Sequence, residues 1–157
     1  MANTLTLHGC RFSAPVRIAP EKTARGRVRA FMPQSRYVKA DVKRLNPHGG
    51  GPFCRFVADG LPSASGVYAL TVDGVPTYVG KAKNLAERWG VQGYGAISPA
   101  NCFTGGQATN CRINHEIFGA ARAGRRIEVW GREVRDPSAL ETRLIRAVKP
   151  RWNIRIP

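Results

Sequence analysis

The segment 66–80, GVYALTVDGVPTYVG, is the feature that most constrains how this chain can fold. It contains two short apolar runs, with Asp73 and Gly74 between them. An Asp-Gly pair supplies the positive φ angles that a tight two-residue turn requires. The segment therefore predicts a β-hairpin that carries one tyrosine on each strand, Tyr68 and Tyr78, ten positions apart (78 − 68).

These two tyrosines have two interpretations. They are either half-buried aromatic side chains of a sheet or parts of a functional site. Alternate residues of one strand share a face, but the turn resets that count, so the spacing alone leaves open whether Tyr68 and Tyr78 meet.

The residues after the hairpin predict a helix, a loop, a second helix, a strand and a third helix. Asn84, with Glu87 three positions later, is typical of the start of a short helix. QATNCRINHEIFGAARAG is amphipathic, RRIEVWGREV alternates like a strand, and Asp136-Pro137 open a last helix that ends before Pro150. We therefore expect an α+β fold with a central antiparallel or mixed three-stranded sheet flanked by helices.

The N-terminal part of the chain has a different character. Residues 1–58 contain 11 basic and 2 acidic side chains, five prolines and the run HGGGP. This composition predicts an irregular basic extension, with at most short strands in TLTLHG and PFCRFV. We assign residues 1–58 to the extension and residues 59–157 to the main domain.

The charge of the whole chain narrows its possible partners. Lys and Arg number 25 against 10 acidic residues, a formal net charge of +15, which favours a phosphate-rich partner over solubility alone. An anionic membrane fits less well, because the sequence has no apolar run of roughly 18 residues and no basic amphipathic helix. We expect a nucleic-acid partner and no membrane.

The cysteines indicate a reducing compartment. Cys10, Cys54, Cys102 and Cys111 form no CxxC pair, and the N-terminus lacks an apolar signal-peptide region. We expect a cytoplasmic protein, with an organelle transit peptide as the alternative. Cys102, Cys111 and His115 could ligate zinc, but their spacing is unusual and a fourth ligand is not evident, so buried packing cysteines are favoured.

An acidic residue falls on the apolar side of the last predicted helix. At about 100° per residue, Leu140, Leu144, Ile145 and Val148 define a face, and Glu141 lies within it. A buried carboxylate needs an ionic partner, hydrogen bonds or a metal. Glu141 therefore pairs with an arginine, reaches water at an edge, or serves a functional site.

Taken together, GVY, YVG and four further residues resemble the GIY-YIG nuclease family over roughly residues 60–157. The first two motifs match with Val in place of Ile in each. Arg88 lies ten positions after Tyr78 (88 − 78), as in the family, and Glu141 in ALETRLI and Asn153 in KPRWNIR match the later positions. Lys81 follows the second motif directly.

The resemblance implies an endonuclease that hydrolyses DNA through a single-metal site. It implies Mg²⁺, or Mn²⁺, on Glu141 and contact of Arg88 with the scissile phosphate. Tyr68 and Tyr78 would flank the nucleophilic water. Because a phenol has a pKa near 10, a nearby cation is needed for one of them to act as a base.

Further site predictions concern the charged and polar residues around these motifs. Lys81 is a candidate for that cation or for phosphate binding, and Asn153 would orient the site through hydrogen bonds. We assign Lys83, Arg112 and His115 to nucleic-acid binding, with a surface position of no function as the alternative for His115. A catalytically silent nucleic-acid-binding module of the same fold is the other hypothesis. The DNA is expected to be double-stranded or structured, and the oligomeric state stays open.

Overall fold

The structure is a computed structural model that describes residues 3–157. These residues form an α+β fold with antiparallel sheets, as predicted. The strands are β1 (Thr4–Leu7), β2 (Cys10–Ser13), β3 (Val16–Arg17), β4 (Gly66–Val72), β5 (Val75–Ala82) and β6 (Ile127–Glu133). The α-helices are α1 (Leu85–Arg88), α2 (Ala108–Arg122) and α3 (Ser138–Val148), and Pro33–Arg36 and Pro99–Cys102 form 3₁₀ turns.

The chain divides into two compact units. The first unit comprises Ala58–Arg88, Arg125–Pro157 and the described part of Met1–Ile18. The second unit comprises Ala19–Val57 and Trp89–Gly124. Each unit contains residues from both sides of position 58, where we predicted the domain boundary.

The first unit is built on a four-stranded antiparallel sheet of order β3-β6-β4-β5. Our prediction of three strands missed β3, which comes from the N-terminal part of the chain. β3 lies between Pro15 and Pro20 and is only two residues long, which is too short to show an alternating pattern. It is a strand because Val16 and Arg17 pair with β6, more than a hundred residues away.

The predicted hairpin is confirmed. The turn residues Asp73 and Gly74 have φ angles of 50° and 80°. The Asp73 side chain also accepts a hydrogen bond of 2.8 Å from the backbone N–H of Arg126, the residue just before β6. The turn therefore ties β4 and β5 to the third strand of the sheet.

One face of this sheet is covered by α3 and by the hairpin formed by β1 and β2. The core between them buries aliphatic and aromatic side chains from all of these elements. Its members are Leu7, Cys10, Phe12, Val67, Ala69, Val79, Trp130, Leu144 and Ile145.

The opposite face of the sheet carries α1. Val67 and Ala69 of β4 belong to the core under α3, so Gly66 and Tyr68 point to the other side. Leu85 of α1 is fully buried there, and a Cβ added to Gly66 would lie 2.8 Å from its Cδ1 atom. The absence of a side chain at Gly66 thus lets α1 approach β4 closely.

The predicted helix signals are largely confirmed. The Asn84 side chain accepts a 3.0 Å hydrogen bond from the Glu87 N–H at the start of α1. Gly124, with a φ of 74°, follows the end of α2. α3 begins at Ser138 with Pro137 as its N-cap, one residue later than predicted.

The second unit is organised around α2. Asn114 of this helix is fully buried, and its side chain makes hydrogen bonds with the backbone N–H and carbonyl of Cys54 and with the carbonyl of Tyr94. These bonds hold two loop segments against α2. Among residues 3–157, no helix is long and apolar enough to cross a membrane.

Candidate active site

A β-bulge in the hairpin places the two tyrosines on one face of the sheet. Near the turn, Thr71 pairs with Pro76, whereas the next pair is Leu70 with Tyr78, so β5 contains one extra residue. A one-residue change of register moves every later side chain to the other face. Without the extra residue, Tyr78 would therefore lie on the face opposite to Tyr68.

The aromatic rings of Tyr68 and Tyr78 are neighbours. Their centroids are 5.8 Å apart, and the side chains are 2% and 7% exposed. Gly80 stands directly opposite Tyr68 in the register, and a Cβ atom on Gly80 would overlap the hydroxyl oxygen of Tyr68. The phenol of Tyr68 thus lies across the backbone of β5, at a position that only glycine leaves open.

β5 is an edge strand, and the segment after α3 covers its free edge. The Trp152 N–H donates a 3.0 Å hydrogen bond to the carbonyl of Thr77. The Asn153 side chain bonds Val79 twice: its Nδ2 donates to the carbonyl at 2.8 Å, and its Oδ1 accepts from the N–H at 3.0 Å. Asn153 therefore acts like a residue of a neighbouring strand.

Glu141 reaches the same edge from the first turn of α3. It is half-buried and accepts a hydrogen bond from the backbone N–H of Lys81. Burial raises the pKa of the Glu141 carboxyl above its ordinary value, while the Lys81 ammonium and this hydrogen bond oppose the increase. Within residues 3–157, Glu141 forms no ion pair with an arginine, so that interpretation of its place on the apolar face is wrong.

Three consecutive residues of β5, 79–81, thus gather three of the predicted site residues. The Tyr68 phenol lies over the middle one, and Asn153 and Glu141 bond to the backbone of its two neighbours.

Lys81 has an additional contact that the sequence did not suggest. Its Nζ atom donates a 2.8 Å hydrogen bond to the hydroxyl of Ser138, the first residue of α3. Ser138 had no recognisable motif around it. The ammonium of Lys81 is therefore directed along the start of the helix that carries Glu141.

The structure places the other basic candidates as follows. Arg88 is the last residue of α1 and is partly exposed, and Lys83 is exposed just after β5. Arg112 and His115 lie on α2, in the second unit, where His115 is exposed. His115 Nδ1 is 2.7 Å from the carbonyl of Pro52, so Nδ1 carries a proton and donates it.

The possible zinc site is not supported by the geometry. No cluster of three His, Cys, Asp or Glu side chains suitable for a metal occurs between residues 3 and 157. Burial raises the pKa of the Cys111 thiol to about 12, which disfavours the thiolate that zinc requires. Cys102 and Cys111 are buried and free, in agreement with the interpretation of the sequence as buried packing cysteines.

The oxygen donors at the β5 edge suit a hard divalent cation. Glu141 offers a carboxylate that is half-buried and accepts a hydrogen bond from the backbone N–H of Lys81. Mg²⁺ is commonly held by one or two carboxylates and keeps several waters. The residues present therefore fit a metal bound mainly through Glu141.

The hairpin motifs and the α+β fold resemble the GIY-YIG nuclease fold, and one solved structure shares this fold with the chain. No model of a known protein family and no curated protein sequence matches the chain. The structure of a point mutant of EndoII from bacteriophage T4 matches with a TM-score of 0.51 and 18% identity. The match covers 71% of this chain and 87% of the phage protein.

A second similar structure is the GIY-YIG N-terminal endonuclease domain of UvrC from Thermotoga maritima. It is a point mutant bound to the catalytic divalent cation of that protein. The TM-score is 0.37 at 24% identity, and the match covers 60% of this chain and 88% of the other. At 18% identity, the match to the phage protein shows the fold alone.

Proposed function

We propose that this protein is a divalent-metal-dependent endonuclease that hydrolyses phosphodiester bonds of double-stranded or structured DNA. The observation that carries the proposal is the arrangement on residues 79–81 of β5. There, the Tyr68 phenol, the Glu141 carboxylate and the Asn153 amide are held on consecutive residues. The GIY-YIG-like fold and the net charge of +15 also support it.

In this proposal, each side chain has a role in hydrolysis. Arg88 binds the scissile phosphate and stabilises the negative charge that develops on its oxygens. Tyr68 and Tyr78 orient the attacking water between their hydroxyls, and one of them accepts its proton. Lys81 lies beside Glu141 and helps to neutralise the phosphate. Asn153 keeps β5 in register beneath these groups.

Glu141 would hold Mg²⁺ or Mn²⁺ as a single metal. A bound divalent cation would supply positive charge opposite the phosphate and polarise the attacking water. The hydrogen bond from the Lys81 N–H fixes one side of the carboxylate and leaves its other lone pairs for the cation. The raised pKa of Glu141 also means that metal binding competes with a proton.

A cytoplasmic location and DNA contacts from Lys83, Arg112 and His115 belong to the same proposal. The four free, buried cysteines are compatible with a reducing compartment. Arg112 and His115 lie in the second unit, so their contribution would require that unit to contact the same DNA. The predicted domain division at residue 58 also stays a proposal.

Nicking of supercoiled plasmid tests the proposed function. The intact protein, Glu141→Gln and Tyr68→Phe are compared in Mg²⁺, in Mn²⁺ and in EDTA. We expect cleavage only by the intact protein with metal, and DNA binding by all three proteins. Glu116→Gln is the matched control, because it removes one carboxylate charge from an exposed position on α2.

The same experiment separates the proposal from its alternative. Cleavage by Glu141→Gln at the rate of the intact protein would refute the assigned metal ligand. DNA binding without cleavage by any form, on plasmid or branched DNA, would favour a silent binding module.

A further inference from the structure

An open groove of about 680 Å³ runs along the outer face of α3. Its polar lining comes from Ser138, Thr142, Arg143 and Arg146 of α3 and from His8. His8 lies in the two-residue turn between β1 and β2, with a φ of 44°. Both sides of the groove belong to the first compact unit.

The charge of this groove has a single sign. No acidic side chain is among its lining residues, and both arginines are exposed. The segment 142–157 contains five basic residues and no acidic residue. The rest of the lining is small, with Ala139 and Ala147 beside the hydroxyls, so a polyanion can approach the helix closely.

The two arginines are arranged so that both can contact phosphate groups on the same side of α3. Arg143 and Arg146 are three positions apart on α3, so their side chains leave the same side of the helix. Arg146 donates its Nε–H to the carbonyl of Pro157, and this contact leaves its terminal nitrogens for a ligand. Planar guanidinium groups recognise phosphate oxygens through paired hydrogen bonds.

One end of the groove is connected to the candidate active site by a hydrogen bond. Ser138, at one end of its lining, accepts the hydrogen bond from Lys81 Nζ. The backbone of Lys81 in turn bonds Glu141, which precedes Thr142 of the groove. Positive side chains therefore lie at the start of α3, where Lys81 contacts Ser138, and farther along the helix at Arg143 and Arg146.

We propose that this groove is a phosphate-binding subsite, in which Arg143, Arg146 and His8 hold the backbone of a nucleic-acid strand beside the catalytic residues. The inference rests on the proposed nuclease function and extends it. The groove recognises the sugar-phosphate backbone and carries no sequence specificity.

The salt dependence of DNA binding tests the subsite. Fluorescence anisotropy of a labelled duplex is measured in EDTA, where no cleavage occurs, from 50 to 200 mM salt. A plot of log K, where K is the association constant for the duplex, against log salt has a negative slope. Loss of two phosphate contacts in R143A/R146A should make this slope less steep by about 1.8. Across this fourfold salt range, the intact protein should therefore lose about 12-fold more affinity than the variant.

Two variants serve as controls. R143K/R146K keeps both charges, so we expect it to retain the slope of the intact protein. R17A/R125A removes two exposed arginines of the same unit that do not line the groove. An equal loss of slope in R17A/R125A and R143A/R146A would overturn the subsite, because the charge would then act diffusely.

Two further results would also overturn it. One is an unchanged slope in R143A/R146A. The other is binding to phosphatidylserine vesicles that this variant loses while its duplex binding is unaffected.

Failure of the nuclease proposal gives a different pattern. If no form of the protein cleaves DNA in any divalent metal, the catalytic assignment fails, but the slope in EDTA still decides whether the groove binds phosphates. If cleavage occurs, R143A/R146A should raise KM for the duplex, whereas Glu141→Gln should lower kcat and leave the slope unchanged.

Discussion

Gly80 shows how much a single missing side chain determines in this molecule. A Cβ atom at this position would overlap the Tyr68 hydroxyl, which is buried and has little room to move. We expect Gly80→Ala to lower the free energy of unfolding by about 1–3 kcal/mol, as overpacking does, and to abolish cleavage. Urea denaturation and plasmid nicking measure the two effects.

Gly119→Ala is the matched control for this substitution. Gly119 is an exposed residue of α2, and a Cβ atom there would meet nothing within 4 Å. Alanine is favoured over glycine inside a helix by roughly 0.5–1 kcal/mol, so Gly119→Ala should stabilise the protein and leave cleavage unchanged. Equal behaviour of the two variants would contradict the assigned role of Gly80.

The raised pKa of Glu141 predicts a pH dependence of stability in the absence of metal. The folded carboxyl holds its proton more tightly than the unfolded one, whose ordinary pKa is 4.5. Its contribution is therefore fully present below about pH 4.5 and is lost as the pH rises through the folded value. Glu141→Gln does not titrate, so its stability relative to the intact protein should increase over this window.

Denaturation in EDTA between pH 4 and pH 8 measures this difference. At neutral pH, we expect Glu141→Gln to be at least as stable as the intact protein. The difference between Glu116→Gln and the intact protein gives the effect of removing an exposed carboxylate. If the stability of Glu141→Gln relative to the intact protein instead decreased as the pH rises, burial would not destabilise the charged Glu141 carboxylate.

At the scale of elements, the contact between Asn153 and β5 has the clearest consequence. Asn153→Ala leaves both backbone groups of Val79 without these partners, which should cost about 1–3 kcal/mol. Asn153→Asp keeps the acceptor for the Val79 N–H but loses the donor to the carbonyl. We expect amide hydrogen exchange at Val79 to become faster in Asn153→Ala and to stay slow in Asn153→Asp.

Catalysis separates these two variants further. If Asn153 positions β5 for the reaction, both variants lower kcat, and Asn153→Asp keeps more of the stability. Unchanged exchange at Val79 in Asn153→Ala would show that the side chain does not hold the strand.

At the scale of the whole molecule, the first unit depends on the N-terminal segment. Leu7, Cys10 and Phe12 are buried in the core shared with α3. A fragment of residues 59–157 retains all six predicted catalytic residues but loses this cover. We expect it to be much less stable than the intact chain and to bind a dye for exposed apolar surface.

Phe12→Ala in the intact chain provides the comparison for the fragment. Removing a buried phenylalanine costs about 3–5 kcal/mol, so this variant should fall between the two in stability. A fragment as stable as the intact chain would show that residues 59–157 fold on their own.

The sequence predicted those structural features that depend on a few neighbouring residues, and it missed those that depend on residues far away in the chain. The Asp73-Gly74 turn, the Asn84 cap and the stop at Gly124 each follow from the chemistry of one to three neighbouring residues, and each is confirmed. The two-residue strand at Val16 follows from its partner in β6, so no local pattern indicated it.

The meeting of the tyrosines shows the same limit within the site. Their shared face depends on the β-bulge between the turn and Leu70, which changes the register by one residue. Pro76, which is disfavoured inside regular ladders, is the only local sign of this irregularity. The family resemblance implied the contact, whereas the alternation of residues could not decide it.

The covering of the β5 edge also bears on the tendency of the protein to aggregate. An uncovered edge strand offers unpaired N–H and C=O groups to any other extended chain, which is a common route to aggregation. Here, Trp152, Asn153 and Glu141 occupy these groups along β5. Residues around the candidate site thereby also shield its edge strand from other chains, so we expect their replacement to promote aggregation as well as to impair the proposed cleavage.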